Sequence, residues 1–325
     1  MTKVALLFPG QGSQHTRMAA GLYGHEPVFT AAIDEVFALN GPAGADIRAD
    51  WLSSRPAIDI DDVRRAQPLL FAVDYALGQL VLSWGVRPVA LLGHSAGELV
   101  AATLAGVFTL PDAVRMVAER VRHAVLVPAG GMLAVAGSEA ELRPYLTGDV
   151  AIAAVNAPQQ VMLAGSTGPL AEVGTALRAA GYVFRVVPAT SPFHCPAMAP
   201  AAEATEAAYA SVRLSAPALR LYSGYTGDLM TAQEATTPWF WARQLTDTVY
   251  FGPALDRMLS ADMLLVEAGP RQTLTAFARR HRAVRTGVSA VVPLLPAKGV
   301  DDEADRRSVA AARARVRAET ASVAA

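Results

Sequence analysis

The chain has 325 residues, 52% of them hydrophobic, with a formal net charge of −1, so it can build a large core and lacks the basic field of a dedicated nucleic-acid binder. A single cysteine, Cys195, excludes an internal disulfide and a cysteine-based metal cluster. No stretch reaches the ~18 uninterrupted apolar residues of a membrane span, and the length suits one large α/β domain carrying an insertion.

The N-terminal run is apolar and reaches Pro9-Gly10 at once. It predicts a buried strand over Val4–Phe8 and is too short for a signal peptide, so the expected compartment is the cytoplasm. The loop Pro9-Gly10-Gln11-Gly12-Ser13-Gln14 follows. Its glycines allow close approach of backbone to a ligand, and strand ends of this kind carry ligand loops in α/β folds. The Lys-Ser/Thr ending of a phosphate loop is missing. Helical spacing of Leu69, Leu70, Val73, Leu77, Leu80 and Val81 predicts a helix from about Arg64 to Trp84, with Gln67 near its start and Gly85 and Pro88 ending it.

An apolar run to Leu92 then meets Gly93-His94-Ser95-Ala96-Gly97-Glu98 and an Ala/Leu-rich helical stretch. Strand, G-x-S-x-G and helix form the pattern of a nucleophile elbow. The sharp turn needs small flanking residues, and it sets Ser95 at a helix N-terminus, where backbone N–H groups and the helix dipole stabilise an oxyanion. The same pattern also fits a glycine-rich connection with a capping serine. A second helix, from Pro111 to about Val125, carries Arg115, Arg120 and Arg122, and most helix arginines are solvated.

From Gly130 the texture changes. Strands over Met132–Val135, Val150–Val155, Gln160–Ala164 and Tyr182–Val187 alternate with helices over Glu139–Leu146 and Pro169–Ala180. The order strand, helix, strand, strand, helix, strand is ferredoxin-like, with edges at Gly130-Gly131 and Pro188. The turn-rich segment from Thr190 to Pro196 leads back and carries His194 at this junction, a common place for a site. Met263–Val266 reads as a late strand ending at Glu267-Ala268-Gly269-Pro270, Leu274–Arg285 as a basic helix, and the Ala/Arg-rich end as a surface helix or tail.

Five separated stretches occur in one order: Phe8 to Gln14, Gly93 to Glu98, Asn156-Ala157-Pro158, Pro192-Phe193-His194 and Glu267 to Pro270. Together they resemble the malonyl-CoA:acyl-carrier-protein transacylases and the acyltransferase domains of polyketide synthases. The resemblance runs from about residue 4 to about 295. It implies a hydrolase-like large subdomain with a parallel sheet (1–129 and 191–300), an inserted ferredoxin-like small subdomain (130–190) and a C-terminal helix or tail (301–325).

The resemblance also implies roles. Ser95 is the acyl-accepting nucleophile and His194 its base. The backbone N–H groups of Gln11 and Ala96 form the oxyanion hole, and the backbone carbonyl of Gln244 orients the histidine. Arg120 binds a malonyl carboxylate with its planar guanidinium. Phe193, His94 and Asn156 complete the substrate site, and a bulky residue before the histidine accompanies malonyl use. Ser191-Pro192-Phe193-His194 departs from the usual malonyl motif at its first two positions, which leaves the acyl group open. No cofactor or metal is implied; a CoA or phosphopantetheine thioester enters as substrate. The expected partners are an acyl carrier protein and an acyl-CoA, with no nucleic acid and no membrane. Carriers are acidic, so Arg279, Arg280, His281, Arg282 and Arg285 form a candidate receiving patch. Alternatives are a discrete acyltransferase moving an aminoacyl or dipeptidyl group between carriers, an editing acyl hydrolase and a non-catalytic carrier-binding module.

Overall fold

The computed structural model describes residues 3–187, 189, 191–259 and 262–321. Pro188 and Thr190, at the edge of the expected small subdomain, lie outside the described residues, as does the end of the C-terminal stretch from 322 onward.

Among the described residues ten strands form two sheets. The larger contains β1 (Val4–Phe8), β2 (Ala90–Gly93), β7 (Leu221–Ser223), β8 (Asp228–Leu229), β9 (Leu264–Glu267) and β10 (Ala290–Pro293). Its order is β10-β9-β1-β2-β7-β8. All neighbours are parallel except β7 and β8. The central strands are buried along their whole length, because helices cover both faces of such a sheet and leave no solvated side to alternate with. The helix Val63–Ser83 is almost wholly buried and starts where the Asp62 side chain accepts the Arg64 N–H. The helix Leu110–Ala124 is capped by Thr109, with Asp112 in its first turn.

Register positions the site. Phe8 of β1 pairs with Gly93 of β2, so the loop after β1 and the turn after β2 leave the sheet side by side. Leu92 pairs with Tyr222 of β7, which brings the β7–β8 turn to the same edge. Beside them, Glu267 ends β9 and accepts the N–H groups of Leu274 and Thr275 at 2.9 and 2.7 Å. The Glu-Ala-Gly-Pro motif thereby starts a helix over Thr273–Arg280.

The second sheet holds β3 (Gly130–Val135), β4 (Ala151–Ala157), β5 (Gln160–Ser166) and β6 (Phe184–Val187), all antiparallel, in the order β4-β5-β3-β6. With helices after β3 and β5 it is ferredoxin-like. It has its own core of Leu133, Val135, Ile152, Val161, Leu163 and Leu177, among others. A main-chain seam joins it to the rest: Val155 N–H donates to the Val249 carbonyl at 2.8 Å, and Val249 N–H to the Ala153 carbonyl at 3.0 Å.

Two sequence expectations change. The helix over Leu274–Arg285 is two pieces, because His281 is extended (ψ 141) and its Nδ1 accepts the Ala283 N–H, starting a short second helix. The helix expected over Glu139–Leu146 is α only to Leu142 and closes as a 3-10 turn at Arg143–Tyr145. The C-terminal stretch forms a helix over Asp302–Ala321 that buries Val309, Ala312 and Val316. Among the described residues no helix is long and apolar enough to cross a membrane.

Candidate active site

Ser95 stands between β2 and the helix Gly97–Leu104 with φ 51, in the left-handed region. A non-glycine residue there is strained and persists only where the surroundings over-determine it. They do: a Cβ at Gly93 would lie 2.2 Å from the Glu98 nitrogen, and one at Gly97 would lie 2.2 Å from the Phe8 carbonyl oxygen. The turn can pass this close to β1 only with glycine on both sides of the serine.

His194 also has a positive φ, 69. Its N–H donates to the Leu245 carbonyl at 2.7 Å, which fixes the backbone between the flanking prolines. The imidazole meets the serine: Ser95 Oγ lies 2.7 Å from His194 Nε2, and Nδ1 lies 3.0 Å from the Asp247 carbonyl oxygen. A carbonyl only accepts, so Nδ1 carries the proton and Nε2 is free to accept from the serine hydroxyl.

Two backbone carbonyls bear on the ring, that of Gln244, as expected, and that of Asp247. The 3-10 turn Arg243–Leu245 points the chain so that Asp247, three residues on, makes the hydrogen bond to Nδ1, and the Gln244 backbone is a secondary neighbour of the ring. The Gln244 side chain turns the other way, its amide 3.3 Å from Glu98 Oε1.

The loop after β1 is pinned from several sides. Ser13 Oγ donates to the Gly10 carbonyl at 2.7 Å, Gly12 N–H to Gln14 Oε1 at 2.6 Å, and Gln67 Nε2 to Gln11 Oε1 at 3.2 Å. Among the described residues, neither the Gln11 N–H nor the Ala96 N–H has a hydrogen-bond partner. Gln11, Ser95, His194 and Phe193 line one small cavity of about 40 Å³, closed on the other side by Met132, Ala154 and Met162 of the small sheet.

Of the three arginines on the helix Leu110–Ala124, Arg120 alone is buried, 1% exposed. Its Nε donates to Gln67 Oε1 at 3.1 Å, its guanidinium lies 5.7 Å from the Phe193 ring centre, and its Nη2 has no hydrogen-bond partner. Arg115 and Arg122 pair on the surface with Asp112 and Glu119. Phe193 belongs to a buried cluster with Val121, Met198 and Leu245 and lines the cavity. His94 lines the cavity. Asn156 does not: it faces a neighbouring groove, and its Oδ1 accepts from His94 Nε2 at 2.7 Å. Asn156 reaches the site through His94.

Three residues that sequence reasoning did not assign belong here. Asp247 supplies the carbonyl. Glu98, fully buried, accepts from Ser223 Oγ and the Gly224 N–H, both at 2.8 Å, tying the elbow helix to the β7–β8 turn; burial pushes its carboxyl up to about 8. Tyr225, in that turn, has its ring 6.0 Å from the His194 ring. A glutamine at the start of an apolar helix was a readable signal for Gln67; a backbone carbonyl leaves none.

The pair can do nucleophilic acyl chemistry: a hydroxyl, a base in the right tautomer, two free backbone donors and a buried cation beside one cavity. The acyl transferase domain model matches residues 5–318. The chain belongs to this acyl transferase family. The acyltransferase is 40% identical over 281 residues to a phenolphthiocerol/phthiocerol polyketide synthase polypeptide of Mycobacterium tuberculosis, covering 86% of its own length and 19% of that protein. Among solved structures it resembles the acyltransferase domain from the second module of the salinomycin polyketide synthase, at 35% identity and a TM-score of 0.87, covering 96% of this chain and 72% of that one. It also resembles the acyl transferase domain of SpnD in complex with 2-(pent-4-yn-1-yl)malonyl, at 32% identity and a TM-score of 0.88, covering 96% and 75%.

Burial, together with the Arg120 and His94 charges, holds the His194 imidazole down to about 3 against the upward pull of the Asp247 and Gln244 backbone. The base is therefore neutral across the ordinary range. Acyl loading of the acyltransferase is expected to hold its rate from pH 7.5 to 5, measured by rapid quench; a fall with a midpoint near 6.5 contradicts this. The same shift has a stability sign. Between about 6.5 and 3 the unfolded imidazole binds a proton and the folded one does not, so this group's contribution is present above 6.5 and is lost as pH falls.

Proposed function

We propose that this acyltransferase moves an acyl group through a Ser95 acyl-enzyme onto the phosphopantetheine thiol of an acyl carrier protein, with malonyl from malonyl-CoA as the acyl group. The observation that carries the reading is the 2.7 Å contact of Ser95 Oγ with His194 Nε2. In the first half, Oγ attacks the thioester carbonyl as Nε2 takes its proton. The Gln11 and Ala96 N–H groups receive the charge on the carbonyl oxygen. Collapse breaks the C–S bond, and the imidazolium returns the proton to the leaving thiol. The second half runs the same steps in reverse with the carrier's thiol.

Arg120 supports a dicarboxylic acyl group, since a buried guanidinium with an unpartnered Nη2 fits a carboxylate acceptor. The bound substituted malonyl group named for the SpnD relative agrees with that chemistry. A groove of about 330 Å³ beside the site, between Pro158, Phe277 and the basic residues Arg280, His281 and Arg282, supports docking of an acidic carrier. In this reading residues 1–129 and 191–300 form the large lobe, 130–190 the small lobe and 301–325 an appended segment.

Intact-mass measurement tests the proposal. Malonyl-CoA is expected to add one malonyl group to the protein, and a holo carrier protein to remove it with matching gain of mass on the carrier. CoA release that ignores the carrier would point to a hydrolase; a mass shift only with aminoacyl carriers would replace the acyl group.

A further inference from the structure

The β7–β8 turn brings to the site a side chain with no role in the steps above. Tyr225 is 7% exposed. Its turn is fixed to the elbow helix: Gly224 N–H and Ser223 Oγ both donate to Glu98, and Tyr225 N–H donates to Ser223 Oγ at 3.0 Å. The ring leans on His194 at 6.0 Å between centres and 44° between planes. Its hydroxyl is close enough to the Ser95 and Arg120 side chains for both to bear on its ionisation. Yet it has no properly directed hydrogen-bond partner among the described residues, and neither has Arg120 Nη2.

Two buried polar groups, a phenol and one arm of a guanidinium, thus lie beside the nucleophile without a well-directed hydrogen bond. A buried group in that state carries an uncompensated desolvation cost, which an acceptor placed between them removes. Burial pushes the phenol further above its usual range, so it stays protonated and is available as a donor. The acceptor that meets one charged and one neutral donor at the end of a short acyl chain is a carboxylate.

We propose that Tyr225 is a specificity-determining residue of the acyl pocket, pairing with Arg120 to hold the free carboxylate of a short dicarboxylic acyl group carried on Ser95. This rests on the acyl-enzyme reading above. The site then discriminates against monocarboxylic acyl groups because they leave both donors buried and unsatisfied.

The test compares wild type with Tyr225→Phe, following acyl-enzyme formation by intact mass with malonyl-CoA and with acetyl-CoA. The variant is expected to load malonyl about 10- to 100-fold more slowly, with acetyl loading changed less than about twofold, so that selectivity narrows by the same factor. Because the change removes an unpartnered hydroxyl and keeps the ring, the thermal midpoint is expected not to fall. Malonyl loading retained within about twofold overturns the inference. An equal loss with both thioesters also overturns it, since that marks a hydroxyl serving Ser95 itself. Wild type that takes up no acyl group from any thioester removes the acyl-enzyme reading and this inference together; wild type that loads another acyl group but no malonyl, or that loads malonyl beside a variant of unchanged selectivity, removes this inference alone.

Discussion

Ser95→Ala is expected to eliminate the acyl-enzyme mass shift and to lower the transfer rate about 10⁴-fold or more, the scale on which serine–histidine enzymes respond to loss of the nucleophile. The fold should survive, since alanine adds no atoms to the turn and relieves none of the contacts that set it. His194→Ala is expected to fall to a similar level, and the double variant no lower than either single one. The two side chains share one hydrogen bond at 2.7 Å and act as a unit, so their effects do not add. Rapid-quench transfer assays on the four proteins check this; a double variant slower by the product of the single losses would mean that the residues act separately.

Gly97→Ala carries the largest expected loss of stability. The added Cβ would sit 2.2 Å from the Phe8 carbonyl oxygen and 2.6 Å from that of Pro9. Both are backbone atoms of the central strand and its loop, and a parallel pairing on either side holds β1 in place. With no side chain able to swing away, the cost is about 3 kcal/mol, and the thermal midpoint should drop by roughly 5 °C or more. Gly168→Ala is the matched control. It adds the same atom early in a helix where nothing lies within 4 Å, and it should be neutral or slightly stabilising. Calorimetry on both variants decides; equal midpoints would mean that β1 yields.

The elbow was readable because its geometry demands small residues at a fixed spacing around one serine, and so it leaves a mark in the sequence. The two sheets were readable from apolar runs and their order. Arg120 was less so by its helix alone, yet the signal exists: it shares the stripe Ala113, Val114, Met116, Val117, Val121 and Ala124 that the helix buries, whereas Arg115 and Arg122 fall in line with acidic partners three residues back. The only local mark of His194 is its turn-rich, proline-flanked junction. Its place in the cleft comes from its own N–H on the Leu245 carbonyl and its ring Nδ1 on the Asp247 carbonyl. Those carbonyls are main-chain atoms, which every residue has, and for that reason Asp247 leaves no mark in the sequence. Strand β7 is three residues long, too short to show a period, and the turn that delivers Tyr225 went unread with it.

The seam between Ala153, Val155 and Val249 has an evolutionary reach. On the small lobe's side it is stitched from amide and carbonyl groups alone, with the Thr248 hydroxyl donating to the Ile152 carbonyl at 2.7 Å from the other side, and it lies two residues from the carbonyl that steadies the imidazole. Descendants of this chain can exchange the small lobe's inward-facing residues, and with them the shape offered to incoming cargo, without disturbing that anchorage. A lobe transplanted from a relative should slot in on the same terms, provided its edge strand keeps its path.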